Sequence, residues 1–168
     1  KKVTIHHLFE KQVLKTPDNI AIIENGEKIT YDQLNQKANK LARFLLSIHI
    51  KSQNELVGVL IENSIHQIIA QIGILKSGNA FVPIDTETPK SRIKIMIDDA
   101  NINTLITLKK HNEVASKLQW ECPALSHCIF LDTSETYIPE DHNKQPLMNS
   151  DLWNNIGKQA DDHIAGGG

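Results

Sequence analysis

The stretch that decides the fold runs from residue 56 to residue 84. It opens with Leu56-Val57-Gly58-Val59-Leu60-Ile61, passes through Ser64 and a run ending in Leu75-Lys76-Ser77-Gly78, and closes with Ala80-Phe81-Val82-Pro83-Ile84. The first run is apolar on both faces, which suits a parallel strand buried between two layers. The middle run puts Ile65, Ile68, Ile69, Ile72 and Leu75 at helical spacing. Ser64 with Gln67 has the pattern of a capping box at its start. Gly78 stands where a left-handed residue would close it. Pro83 cannot donate to a ladder, so the last run belongs at a strand end or a sheet edge.

The same alternation of helix patterns and short apolar runs extends in both directions, and it predicts an α/β fold with a mostly parallel sheet flanked by helices. Upstream, Ile5, Leu8, Phe9 and Val13 mark one face of a first helix with Thr4 as its N-cap. The runs 21–24 and 27–30 flank Asn25-Gly26, a pair that tolerates positive φ at both central turn positions, so an N-terminal β-hairpin is expected there. Leu34, Ala38, Leu41, Ala42, Leu45 and Leu46 define a strong amphipathic helix, and Thr30 with Gln33 forms its capping box. Downstream, Thr88 is the expected cap of a helix with Pro89 at its first position and Ile93, Met96, Ile97 and Ala100 on its buried face. Strands follow at 104–108 and 128–131, with a weaker helical stretch between them near Val114 to Leu118. Three regions result: a folded unit over 1–132, a polar linker over 133–149 containing Pro139 and Pro146, and a terminal helix or junction over 150–168.

Bulk properties narrow the function. The chain has 168 residues and a net charge of -2, which argues against a dedicated nucleic-acid binder, since such proteins carry a basic surplus. No apolar run reaches the length of a membrane span, and residues 1–7 lack an apolar signal core, so a cytoplasmic location is expected. Cys122 and Cys128 are too few for a disulfide framework and read as reduced thiols. The eight histidines show no ligand spacing, and Asp161-Asp162-His163 reads as a solvated helix end, so no metal site is expected.

Two stretches carry a family likeness. Ile29-Thr30-Tyr31-Asp32-Gln33-Leu34 resembles the first core motif of nonribosomal peptide synthetase adenylation domains, and Leu75 to Asp85 resembles the second, Leu-Lys-Ala-Gly-x-Ala-Tyr-Val-Pro-Ile-Asp. Pro89, Arg92, Ile93, Met96, Asp99 and Ala100 continue the pattern in register, and Ile5 to Glu10 with Thr16-Pro17-Asp18 resembles the usual family start. The likeness covers about residues 3 to 132. It implies the first subdomain of the adenylate-forming fold. It also implies, for an intact member, the joining of a carboxylic acid to AMP from Mg-ATP and transfer of the acyl group to a phosphopantetheine thiol on a carrier protein.

The departures set the functional expectation. Gln33 stands for the usual Glu and keeps the capping role; Thr86 stands for a common Pro. Beyond the linker the family carries a Ser/Thr/Gly-rich loop with a lysine, because a triphosphate needs backbone N–H groups, hydroxyls and a cation close by. Here Pro146-Leu147-Met148-Asn149-Ser150-Asp151-Leu152-Trp153 follows instead. The tail from Leu152 through Asp161-Asp162-His163 to Gly168 resembles the opening of methyltransferase domains, which use S-adenosylmethionine. On this likeness the chain is a truncated, non-catalytic pseudo-adenylation domain that scaffolds a neighbour. The alternatives are a fragment of an intact adenylating enzyme and a stand-alone nucleotide-binding module; against the last, no Gly-rich turn follows Ile61 or Ile84.

No residue is assigned a catalytic, cofactor-binding or metal role. Thr30, Tyr31, Gln33 and Leu34 are read as a helix cap and core, and Leu75, Lys76, Gly78, Pro83, Asp85 and Arg92 as fold-bearing motif positions. Leu152, Trp153 and Ile156 are interface candidates, because a Trp on a short apolar helix needs a partner surface. That surface lies either on this domain or on a neighbour.

Overall fold

The computed structural model describes residues 4–48 and 55–132. In chain order they form α1 (Ile5–Lys15), β1 (Ile20–Glu24), β2 (Glu27–Thr30), α2 (Tyr31–Ser47), β3 (Leu56–Leu60), α3 (Ile65–Lys76), β4 (Ala80–Pro83), α4 (Lys90–Ala100), β5 (Thr104–Thr107), a 3-10 turn (Lys109–His111), α5 (Asn112–Glu121) and β6 (His127–Phe130). The linker 133–149 and the terminal segment with Leu152, Trp153, Ile156 and Asp161 to His163 lie outside the described residues.

The central sheet has the order β4-β3-β5-β6, and every pairing is parallel. Alternating side chains split its core in two, as the period of a strand requires. Leu60, Leu105 and Cys128 pack with Ile93 and Ile97 of α4 and Ala115 and Leu118 of α5. Val57, Val59, Ile106 and Ile129 pack on the opposite side with Leu41, Phe44 and Leu45 of α2 and Ala70 and Ile74 of α3. The direction of strand succession reverses after β4, which puts α3 on one face and α4 and α5 on the other. The α/β architecture and parallel sheet are therefore as the sequence indicates.

The hairpin β1–β2 is a separate antiparallel sheet. Asn25 and Gly26 both have positive φ (50° and 83°), the backbone a tight primed turn demands. Ile29 from this hairpin joins Leu34, Ala38, Ile65, Ile69 and Ile72 in a third apolar cluster. Pro83 sits at the end of β4, an edge strand, where its missing donor costs no ladder bond.

Several local expectations shift. Ile5 (72% exposed) and Leu8 (55% exposed) do not face the core; Val13 is the buried residue of α1, and Phe9 is half-buried. Thr4 stands at the N-cap position but makes no side-chain cap bond. At α3 only half of the expected box forms: Ser64 accepts from the Gln67 amide, while the Gln67 side chain donates to the Ile61 carbonyl instead. Pro89 itself occupies the N-cap position of α4, without a Thr88 cap, because its φ of -57° already fits the helix entrance. Helix α5 is longer than its weak sequence pattern indicates, extending over Asn112–Glu121. No described helix is long and apolar enough to cross a membrane.

Candidate functional site

The family-motif residues can now be placed one by one. Thr30 accepts a hydrogen bond from the Gln33 amide (3.2 Å), and the Gln33 side chain accepts one from the Thr30 amide (3.0 Å), a complete capping box. Tyr31 lies near Phe9, with ring centroids 6.2 Å apart, and Leu34 is buried. Leu75 is half-buried near the end of α3. Gly78 takes φ of 84° just past that end. Asp85 accepts from the Glu87 amide (2.9 Å) in the loop after β4. Arg92 is exposed on α4.

Lys76 is the least expected of the set. Its side chain is 2% exposed and its ammonium lies 2.6 Å from Glu10. A buried ammonium needs such a partner, since an isolated charge in a low-dielectric interior costs several kcal/mol. The pair ties α3 to α1, and the motif lysine is committed inside the fold.

A second cluster was not visible in the sequence. It sits beyond the carboxyl ends of β3 and β5, where the direction of strand succession reverses and where open α/β sheets place ligands. Glu62, just after β3, accepts from Lys110 Nζ (2.9 Å) and His111 Nε2 (2.6 Å), both in the turn after β5. Its second oxygen, Oε2, is shielded from solvent and has no hydrogen-bond partner. Burial pushes the Glu62 carboxyl up. Hydrogen bonds from Lys110, its own backbone and His111, with the charge of His111, outweigh that and hold it below its ordinary value. Neighbouring bonds brace the edge: Thr107 donates to the Leu60 carbonyl (2.6 Å), and Asp132 accepts from the Lys109 amide (2.8 Å).

This edge holds a fixed carboxylate with one free, desolvated acceptor, suited to a hydrogen-bond donor or cation. The charges at this edge are mixed: Glu62, Asp85 and Asp132 follow three of the four strands, and Lys109, Lys110 and His111 follow the fourth. Among the described residues, no three His, Cys, Asp or Glu side chains converge as metal ligands would. Cys122 and Cys128 are buried free thiols, and burial, aided by Asp98, pushes the Cys122 thiol up, which makes it a poor nucleophile.

Known proteins agree with this architecture. The model of the family described as "AMP-binding enzyme" matches residues 9–164, a span that runs past residue 132 into the terminal segment. Gramicidin S synthase 2 of Brevibacillus brevis is 38% identical over 142 residues, covering 84% of this chain and 3% of that protein. Tyrocidine synthase 1 of Brevibacillus parabrevis is 35% identical over 150 residues, 89% of this chain and 13% of that protein. Among solved structures, the nonribosomal peptide synthetase FmoA3 in its alpha-methyl-L-serine-AMP bound form superposes with a TM-score of 0.69 at 28% identity, covering 78% of this chain and 14% of that one. The chain thus spans a small share of each relative. With its motif residues, parallel sheet and matched span all in agreement, the chain belongs to the AMP-binding enzyme family and is similar to the N-terminal portion of nonribosomal peptide synthetase adenylation domains.

Proposed function

We propose that this chain serves a peptide-synthetase or hybrid polyketide assembly line as architecture and not as a catalyst. On this reading it is a pseudo-adenylation domain that scaffolds its neighbours in the same polypeptide, the next of them a methyltransferase using S-adenosylmethionine. One observation carries the reading. The polar motif residues Thr30, Gln33, Lys76 and Asp85 each make a structural bond, in a cap, a turn or an internal ion pair. Groups so committed hold a fold together and leave little to bind nucleotide. Pro146 to Trp153 in place of a phosphate loop points the same way. The two buried free thiols suit a reducing, cytoplasmic setting.

A second reading has its own support. The family match continues to residue 164, and identity to tyrocidine synthase 1 extends over 150 residues. On this reading the chain is the first part of an intact amino-acid-adenylating domain. The whole domain would take Mg-ATP and an amino acid, form the aminoacyl adenylate and pass the acyl group to a carrier-bound phosphopantetheine thiol.

Amino-acid-dependent ATP–pyrophosphate exchange separates the readings when measured on the module containing this chain and on the 168-residue chain alone. Scaffold function predicts no exchange by either and S-adenosylmethionine binding by the module. Exchange by the module but not by the chain selects the second reading. Exchange by the chain alone overturns both.

A further inference from the structure

A groove of about 540 Å³ opens between the hairpin, α2 and the first turn of α3, which begins three residues after Glu62. Its floor is apolar: Ile29, Ile65 and Ile69, all buried. Its cations are Lys28 on β2 and Lys37 and Lys40, about one turn apart on α2. These lysines differ from most others. Lys76, Lys90, Lys94, Lys110 and Lys117 each meet a carboxylate within 3.1 Å. Among the described residues, the side-chain ammoniums of Lys28, Lys37 and Lys40 have no hydrogen-bond or ion-pair partner.

We infer that this groove docks an acidic, aliphatic peptide segment belonging to another domain of the same polypeptide. The pattern of charge selects a peptide over a compact polyanion. Glu24 and Glu27 line the hairpin side of the groove, and Glu24 is held there by the Ile65 amide (3.1 Å). A phosphate cluster would meet those carboxylates, whereas an extended segment sets its carboxylates against Lys37 and Lys40 and its aliphatic side chains on the isoleucine floor. Half-buried His66 supplies a ring nitrogen to a backbone group of the guest. Tethering within one chain gives a weak charge-based contact a high effective concentration, and the relatives are many times longer than this chain. The inference rests on reading the chain as part of a longer synthetase. Both readings proposed above share that premise, so the experiment below does not depend on the outcome of pyrophosphate exchange.

The test is zero-length carbodiimide crosslinking of the parent polypeptide followed by peptide mass spectrometry. The exposed Lys90–Glu121 pair (2.7 Å) is the internal reference. The expected result is crosslinks from Lys28, Lys37 or Lys40 to carboxylates in an acidic segment outside residues 1–168. Loss of the Lys28 crosslinks, whose amine these changes leave in place, is expected in a Lys37→Glu/Lys40→Glu variant, and equally in Lys37→Gln/Lys40→Gln should charge reversal disturb folding. The Lys90–Glu121 crosslink stays in both. Groove lysines that remain silent, or that join only residues 1–168, overturn the inference. So do outside crosslinks that survive both variants unchanged.

Discussion

Glu62 shows what a single residue does here. Its carboxyl is partly desolvated, yet Lys110 and His111 hold it ionised. The folded value therefore lies below the ordinary 4.5, and the unfolded chain binds the proton first as pH falls. The stability this group contributes is present above the ordinary value and is lost as pH falls through the folded one. Glu62→Gln is expected to lower the urea midpoint at about pH 7 and to converge on the parent chain as pH falls through the folded value; an offset that stays constant with falling pH would count against the cluster. Half-buried His127 adds to acid lability, since desolvation holds its imidazole below the ordinary 6.5 and the unfolded chain protonates first below that value. None of this was legible beforehand. His111 and Glu62 are 49 positions apart, and only the sheet brings them together. Thr30 and Gln33 were legible, because a capping box is a contact three residues long whose partners are fixed by the helix itself.

At the scale of elements, the closest helix contact is α2 against α3. A Cβ on Gly73 would stand 2.7 Å from Leu41 Cδ2 and 2.9 Å from Leu41 Cβ. The methyl end of Leu41 can rotate away, but its Cβ is fixed to the backbone of α2. Gly73→Ala gains about 1 kcal/mol of helix propensity and loses about 1–3 kcal/mol to overpacking. A net loss of about 1 kcal/mol in urea denaturation is expected, whereas a gain would mean that the helices separate freely. Helical periodicity identified both helices, and the expected apolar face of α2 is the buried one except at Leu46, which is exposed. The same reasoning failed for α1, where Ile5 and Leu8 follow the helical repeat but are exposed. Periodicity says which residues share a face and not whether another element covers it. Gln67 marks a similar limit: it was read correctly as a helix-start signal, yet its side chain bonds the Ile61 carbonyl at the end of the preceding strand.

For the whole molecule, the two sheets predict unequal protection. Strands β3 and β5 are central, paired on both sides and covered on both faces. The hairpin has two strands only, an arrangement of marginal stability by itself. Hydrogen exchange should therefore be slowest at Val57 to Leu60 and at Leu105 and Ile106, and faster across the hairpin, most of all at its exposed edge. The reverse order would mean that the third cluster, and not the parallel sheet, is the stable unit. The amino-acid sequence by itself determined the elements, the α/β class, the hairpin turn and the family likeness, because each rests on contacts within a few residues or on an unbroken apolar pattern. Tertiary structure alone decided the strand order, the burial of Lys76 against Glu10, the Glu62 cluster and the lysine-lined groove. Those arise where segments tens of residues apart meet, and which charges then face each other depends on sheet order and helix placement, which no local pattern encodes.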